Sequence, residues 1–143
     1  MKKKIIFTTG GTGGHIFPAI NLMKHFFDKE YEVLLVTDER GNVFAKKYSN
    51  IKSYVLKTET LTGKSFFEKI KSSIVIFISI LKSIFILVKE KPDIVFGLGG
   101  YVSFPVSFSS KILNLPLVIY ENNMVLGRAN RFLSKFSKKI LLA

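Results

Sequence analysis

The apolar run Ile5-Ile6-Phe7 soon gives way to Gly10-Gly11-Thr12-Gly13-Gly14-His15, and Pro18 follows. Apolar residues, a glycine-dense turn and a proline suited to a helix's first turn read as strand, loop and helix. Such a loop lets backbone approach a bulky polar ligand. Its free N–H groups and the helix N-terminus behind them suit an anion, usually phosphate. His15 adds a titratable group at the mouth of that loop.

The same alternation repeats along the chain. Short apolar runs predict strands at 4–8, 33–37, 51–56, 94–97, 117–120 and 140–142. Helices are expected at 16–29, 41–48, 103–113 and 127–136. A long helix opens at Ser65, where Glu68 gives capping-box spacing, and ends before Pro92. This order predicts one α/β domain, a doubly wound, Rossmann-like parallel sheet with helices on both faces. In the usual strand order the first and fourth strands adjoin, and ligands bind outside the carboxyl ends there. The second glycine loop, Gly97-Leu98-Gly99-Gly100-Tyr101-Val102-Ser103, would then face the first across one crevice. Past the fifth strand, Tyr120-Glu121-Asn122-Asn123 would offer hydrogen bonds to a sugar or diphosphate.

Several function classes drop out. The chain has no cysteine, which removes disulfides and Cys-ligated zinc and fits a reducing cytoplasm. No Asp-x-Asp pair occurs, so no metal or other cofactor is expected. A G-x-G-x-x-G fingerprint fails at Ile16, and Gly63-Lys64-Ser65 lacks the leading glycine of a P-loop, having Thr58 there. The net charge of +12 asks for an acidic partner. The lysines are scattered and no RNA or DNA motif occurs, which argues against nucleic acid. Met1-Lys2-Lys3-Lys4 is a basic lead-in to the first strand rather than a leader. Residues 72–81 are the longest uncharged piece of the long helix, well short of the ~20 residues a membrane span requires. A transmembrane helix is not expected.

That helix has two candidate faces. At 100° per residue, Lys64, Lys71, Lys82 and Lys89 fall within about 20° of one another. Lys71, Val75, Ile78, Lys82, Phe85, Ile86 and Lys89 form a mixed face suited to an anionic membrane surface. Ile70, Ile74, Phe77, Leu81, Ile84 and Val88 form an apolar face expected to pack on the sheet.

Together with Phe17-Pro18-Ala19, Gly127 and Asn130, the two glycine loops and Glu121-Asn122-Asn123 resemble the N-terminal half of the MurG family, along the whole chain. Members of that family transfer N-acetylglucosamine from UDP-N-acetylglucosamine to lipid I, undecaprenyl-pyrophosphoryl-N-acetylmuramoyl-pentapeptide. The product is lipid II of peptidoglycan. The resemblance implies an inverting, metal-independent GT-B glycosyltransferase, peripheral on the cytoplasmic face of the bacterial inner membrane. Residues 1–143 would be its N-terminal acceptor-binding domain. The C-terminal donor domain would be missing, to be supplied in cis or in trans, and the chain alone would be inactive. The resemblance also implies that Thr12, Gly13, Gly14 and Asn123 contact the donor. His15, Gly99, Gly100, Tyr101, Glu121 and Asn130 would face the acceptor. His15 would either take the proton from the acceptor's C4 hydroxyl or stabilise diphosphate charge. The family pattern has His-Glu-Gln-Asn where this chain has Tyr120-Glu121-Asn122-Asn123. An alternative is a non-catalytic, membrane-docking subunit that presents the acceptor to a separate donor-domain chain. A plain nucleotide-binding domain is disfavoured by the failed fingerprints.

Overall fold

The computed structural model describes residues 2–47 and 51–142. Six strands are present among them: β1 (Lys4–Thr8), β2 (Glu32–Thr37), β3 (Lys52–Val55), β4 (Ile94–Gly97), β5 (Leu117–Glu121) and β6 (Lys139–Leu142). They alternate with helices α1 (Gly13–Asp28), α2 (Glu39–Ala45), α3 (Phe66–Glu90), α4 (Ser103–Ile112) and α5 (Arg128–Leu133). The strands form one sheet in the order β3-β2-β1-β4-β5-β6, every pair parallel. The predicted α/β doubly wound sheet is thus the observed one. β1 and β4 are neighbours, with Ile6 opposite Val95 and Thr8 opposite Gly97, so their loops leave the sheet side by side.

Strand residues alternate between two cores. Ile6, Leu34, Val36, Val95, Leu117 and Ile119 pack with residues of α3, α4 and α5. Ile5, Phe7, Val33, Leu35 and Phe96 pack with residues of α1 and α2. Both faces are covered, which explains why the strands read as continuous apolar runs.

Several boundaries move. α1 starts at Gly13 rather than at 16, so the last two glycines of the first loop form its first turn. α2 starts at Glu39 because the Asp38 carboxylate accepts from the Gly41 N–H at 2.8 Å and caps it. Tyr48, expected to end that helix, lies outside the described residues. α5 stops at Leu133, short of 136. α3 has the expected capping box at Ser65 and Glu68 and ends at Lys91 in a left-handed conformation, just before Pro92.

The orientation of α3 differs from the expectation. Its buried face is Ser72, Ser79, Ser83, Ile86, Leu87 and Glu90. Ile70, Ile74, Phe77, Leu81 and Val88, expected on the sheet, are exposed, and Ile84 is half-buried. Ile86, expected on the membrane-facing side, lies in the core instead. The cause is close packing on serines. Ser83 Oγ donates to the Ser79 carbonyl at 2.7 Å, and Ser79 Oγ to the Val75 carbonyl at 2.9 Å. A hydroxyl bonded to its own helix is a small, satisfied group, and α4 can approach it closely. From α4, Ser109 Oγ donates to the Ile80 carbonyl at 3.1 Å.

At the far end of α3 the buried Glu90 receives Lys52 Nζ at 2.6 Å, Lys4 Nζ at 3.3 Å and the Tyr54 hydroxyl. Burial pushes the Glu90 carboxyl up, but these donors outweigh it and hold it at about 2. They fasten the helix to β1 and β3. By length and composition α3 could cross a membrane, its most apolar stretch having a mean hydropathy of 2.1. Its serine face is nevertheless packed on the domain.

Candidate functional site

A crevice of about 520 Å³ opens at the carboxyl ends of β1 to β5. It takes its wall from the loops after those strands, including Thr12, His15, Tyr101 and Asn123. Gly99, Gly100, Glu121 and Asn130 also line it, so eight of the residues expected at donor or acceptor come together in one place. Gly13 and Gly14 do not line the crevice; they are exposed in the first turn of α1.

The two glycine loops interlock. The Gly10 N–H donates to the Gly99 carbonyl at 3.0 Å. Gly100 has a φ of 81°, and a Cβ there would lie 2.7 Å from Gly10 N and Cα. Only glycine fits that backbone conformation and that approach without strain. The neighbouring Gly99 supports the His15 ring, since a Cβ on it would lie 3.0 Å from His15 Cε1. His15 is half-buried, and its Nδ1 is buried without a hydrogen-bond partner within the chain.

Both carboxylates of the wall are already engaged. Glu121 is 2% exposed and accepts the Asn123 N–H at 3.1 Å, Asn123 Nδ2 at 2.8 Å, the Gly127 N–H at 3.1 Å and Asn130 Nδ2 at 2.9 Å. Burial pushes its carboxyl up, but the hydrogen bonds from Gly127, Asn130 and Asn123 outweigh that and hold it below the usual range. Glu121 and the buried Asn130, expected on the acceptor side, are bonded to each other in the crevice wall and brace the loop before α5.

Asp38 is the residue the sequence reading missed. Its carboxylate takes the Gly41 N–H, the Gly11 N–H and the Arg40 guanidinium. Burial pushes it up and these donors pull it lower on balance. The contact is close: a Cβ on Gly11 would lie 2.2 Å from Asp38 Oδ1. The signal was available, because an Asp three residues before Gly41, with an acidic residue following, is an N-cap pattern. Arg40 and Arg128 add two cations to the same wall. Among the described residues no cluster of His, Cys, Asp or Glu could hold a metal ion.

The chain is similar to known proteins. A curated UDP-N-acetylglucosamine–N-acetylmuramyl-(pentapeptide) pyrophosphoryl-undecaprenol N-acetylglucosamine transferase of Wolbachia sp. subsp. Drosophila simulans (strain wRi) is 39% identical over 95% of this chain and 37% of its own length. The transferase of the same name from Rhodospirillum centenum is 36% identical, again over 95% of this chain and 36% of its own length. The chain thus spans under two-fifths of these relatives. Among solved structures, Acinetobacter baumannii MurG superposes with a TM-score of 0.86 and 28% identity, over 99% of this chain and 41% of that one. A putative UDP-N-acetylglucosamine 2-epimerase from Listeria monocytogenes shares the fold, with a TM-score of 0.71 at 14% identity over 98% of this chain and 38% of its own. The model of the glycosyltransferase family 28 N-terminal domain matches residues 5–142, and to that family this chain belongs.

Proposed function

We propose that this chain is the acceptor-binding part of an inverting N-acetylglucosaminyltransferase that uses UDP-N-acetylglucosamine and a lipid I acceptor. One observation carries this reading: the imidazole of His15 lines the crevice with Nδ1 turned inward and buried, which leaves Nε2 to meet substrate, while Asp38 and Glu121 are saturated by hydrogen bonds. Imidazole is the side chain suited to proton uptake near neutrality. In the proposed step the acceptor's C4 oxygen bonds to the anomeric carbon of the donor sugar, the bond from that carbon to UDP breaks, and the hydroxyl proton passes to His15. Thr12 and Asn123 face the donor diphosphate, as do the exposed N–H groups of Gly13 and Gly14 at the start of α1. Gly99, Gly100 and Tyr101 form the acceptor side. A C-terminal donor domain, in cis or in trans, completes the enzyme. Saturable binding of a soluble, short-prenyl lipid I analogue by this chain tests the reading.

The reading includes a peripheral site on the cytoplasmic membrane face. The exposed surface of α3 carries Ile70, Ile74, Phe77, Ile78, Leu81, Phe85 and Val88 among the exposed Lys69, Lys71, Lys82 and Lys89, with Val75 half-buried. Apolar groups that enter the headgroup boundary, flanked by lysines that meet phosphates, suit anionic lipid. Sedimentation with phosphatidylglycerol vesicles should show binding that weakens with salt. Replacing Ile78 and Phe85 by Ser should weaken it by roughly tenfold or more. Equal binding to neutral vesicles, or indifference to the double change, would contradict the docking surface.

A further inference from the structure

The first turn of α1 leaves one backbone carbonyl without its usual partner. The Gly14 carbonyl would accept from the N–H of the residue four positions on, but that residue is Pro18 and has none. The Asn122 side chain supplies the missing donor: its Nδ2 reaches the Gly14 carbonyl at 3.0 Å. The Tyr120 hydroxyl meets Asn122 Oδ1 at 3.5 Å, which suits an amide turned with its nitrogen toward Gly14. The next residue, Asn123, is anchored by Glu121 through both its backbone N–H and its side chain.

We propose that Asn122 is a positioning residue. It satisfies the carbonyl that Pro18 leaves free and so ties the loop after β5 to the glycine turn. The tie sets the spacing between Asn123 on one side and the Gly13 and Gly14 amides with His15 on the other. Its bearing on substrate rests on the acceptor reading above; the tie itself does not.

Amide hydrogen exchange on this chain tests it. The His15 and Ile16 N–H groups both donate to the Thr12 carbonyl, at 3.0 and 2.9 Å, and report on the turn. Asn122→Ala should lower their protection about fivefold, the worth of one net hydrogen bond, and leave Ile6 and Phe7 in β1 unchanged. Asn122→Gln keeps the carboxamide and should restore much of the protection. Pro18→Ala returns an N–H to the helix, so in that background Asn122→Ala should change protection by less than about twofold. The short-prenyl lipid I analogue should bind more weakly to Asn122→Ala than to Asn122→Gln. Unchanged protection in Asn122→Ala, or an equal loss in the Pro18→Ala background, would overturn the proposal. An analogue that binds none of these proteins would overturn the acceptor reading, while the exchange ratios still decide the tie.

Discussion

In an active transferase that carries this chain as its N-terminal part, His15→Ala should lower kcat by about 10²–10⁴-fold, the range typical of a lost general base. The KM for UDP-N-acetylglucosamine should change little. The reasoning is geometric. His15 is held by Gly99 and lines the crevice. Each carboxylate near it already serves backbone or side-chain donors, so neither is available to share the proton. Steady-state kinetics with the two substrates varied separately distinguishes the roles. A raised acceptor KM with kcat nearly intact would mean that His15 binds substrate and does not take the proton.

Gly100→Ala should be the most disruptive small change in the site. The substitution forces an alanine to a φ of 81° and drives its Cβ to 2.7 Å from Gly10 N and Cα. The left-handed conformation alone costs roughly 1–2 kcal/mol, and the clash can be relieved only by parting the two loops. A total loss of about 2–4 kcal/mol is expected, lowering Tm by roughly 5–15 °C in a chain of this size. Gly14→Ala is the matched control. It lies in the first turn of α1, where a Cβ meets nothing within 4 Å and the backbone is helical. Its stability should hold or rise by up to about 1 kcal/mol. Thermal unfolding of both variants checks this, and equal Tm values would contradict the interlocking of the loops.

The sheet was legible because parallel strands covered on both faces leave uninterrupted apolar runs, and the glycine loops were legible because few other settings call for so many glycines between strand and helix. α3 was misread for a physical reason. Hydropathy treats Ser72, Ser79 and Ser83 as polar, although a hydroxyl that donates to its own helix or to a neighbouring loop packs as a small buried group. The apolar stripe of that helix therefore pointed to the wrong face. The role of Asp38 was written locally, in the spacing to Gly41. That of Asn122 was not, because its partner is Gly14, at the far end of the chain in sequence. Pro18 hints at a freed carbonyl, but nothing local to it names the donor. Glu121 illustrates the same limit: it was placed just past the fifth strand and is the last residue of β5, while the four donors that make it a brace emerge only in three dimensions.

The most direct test of the crevice as an acceptor site is a titration of isotopically labelled chain with the short-prenyl lipid I analogue, read amide by amide. Saturable shifts are expected at His15, Gly99, Gly100 and Tyr101, with the C-terminal turn of α1 and the amino ends of the strands unmoved. The same experiment with the prenyl alcohol alone should leave the crevice amides in place. Shifts confined to the exposed face of α3, or an absence of saturable shifts at any concentration of analogue, would contradict the account.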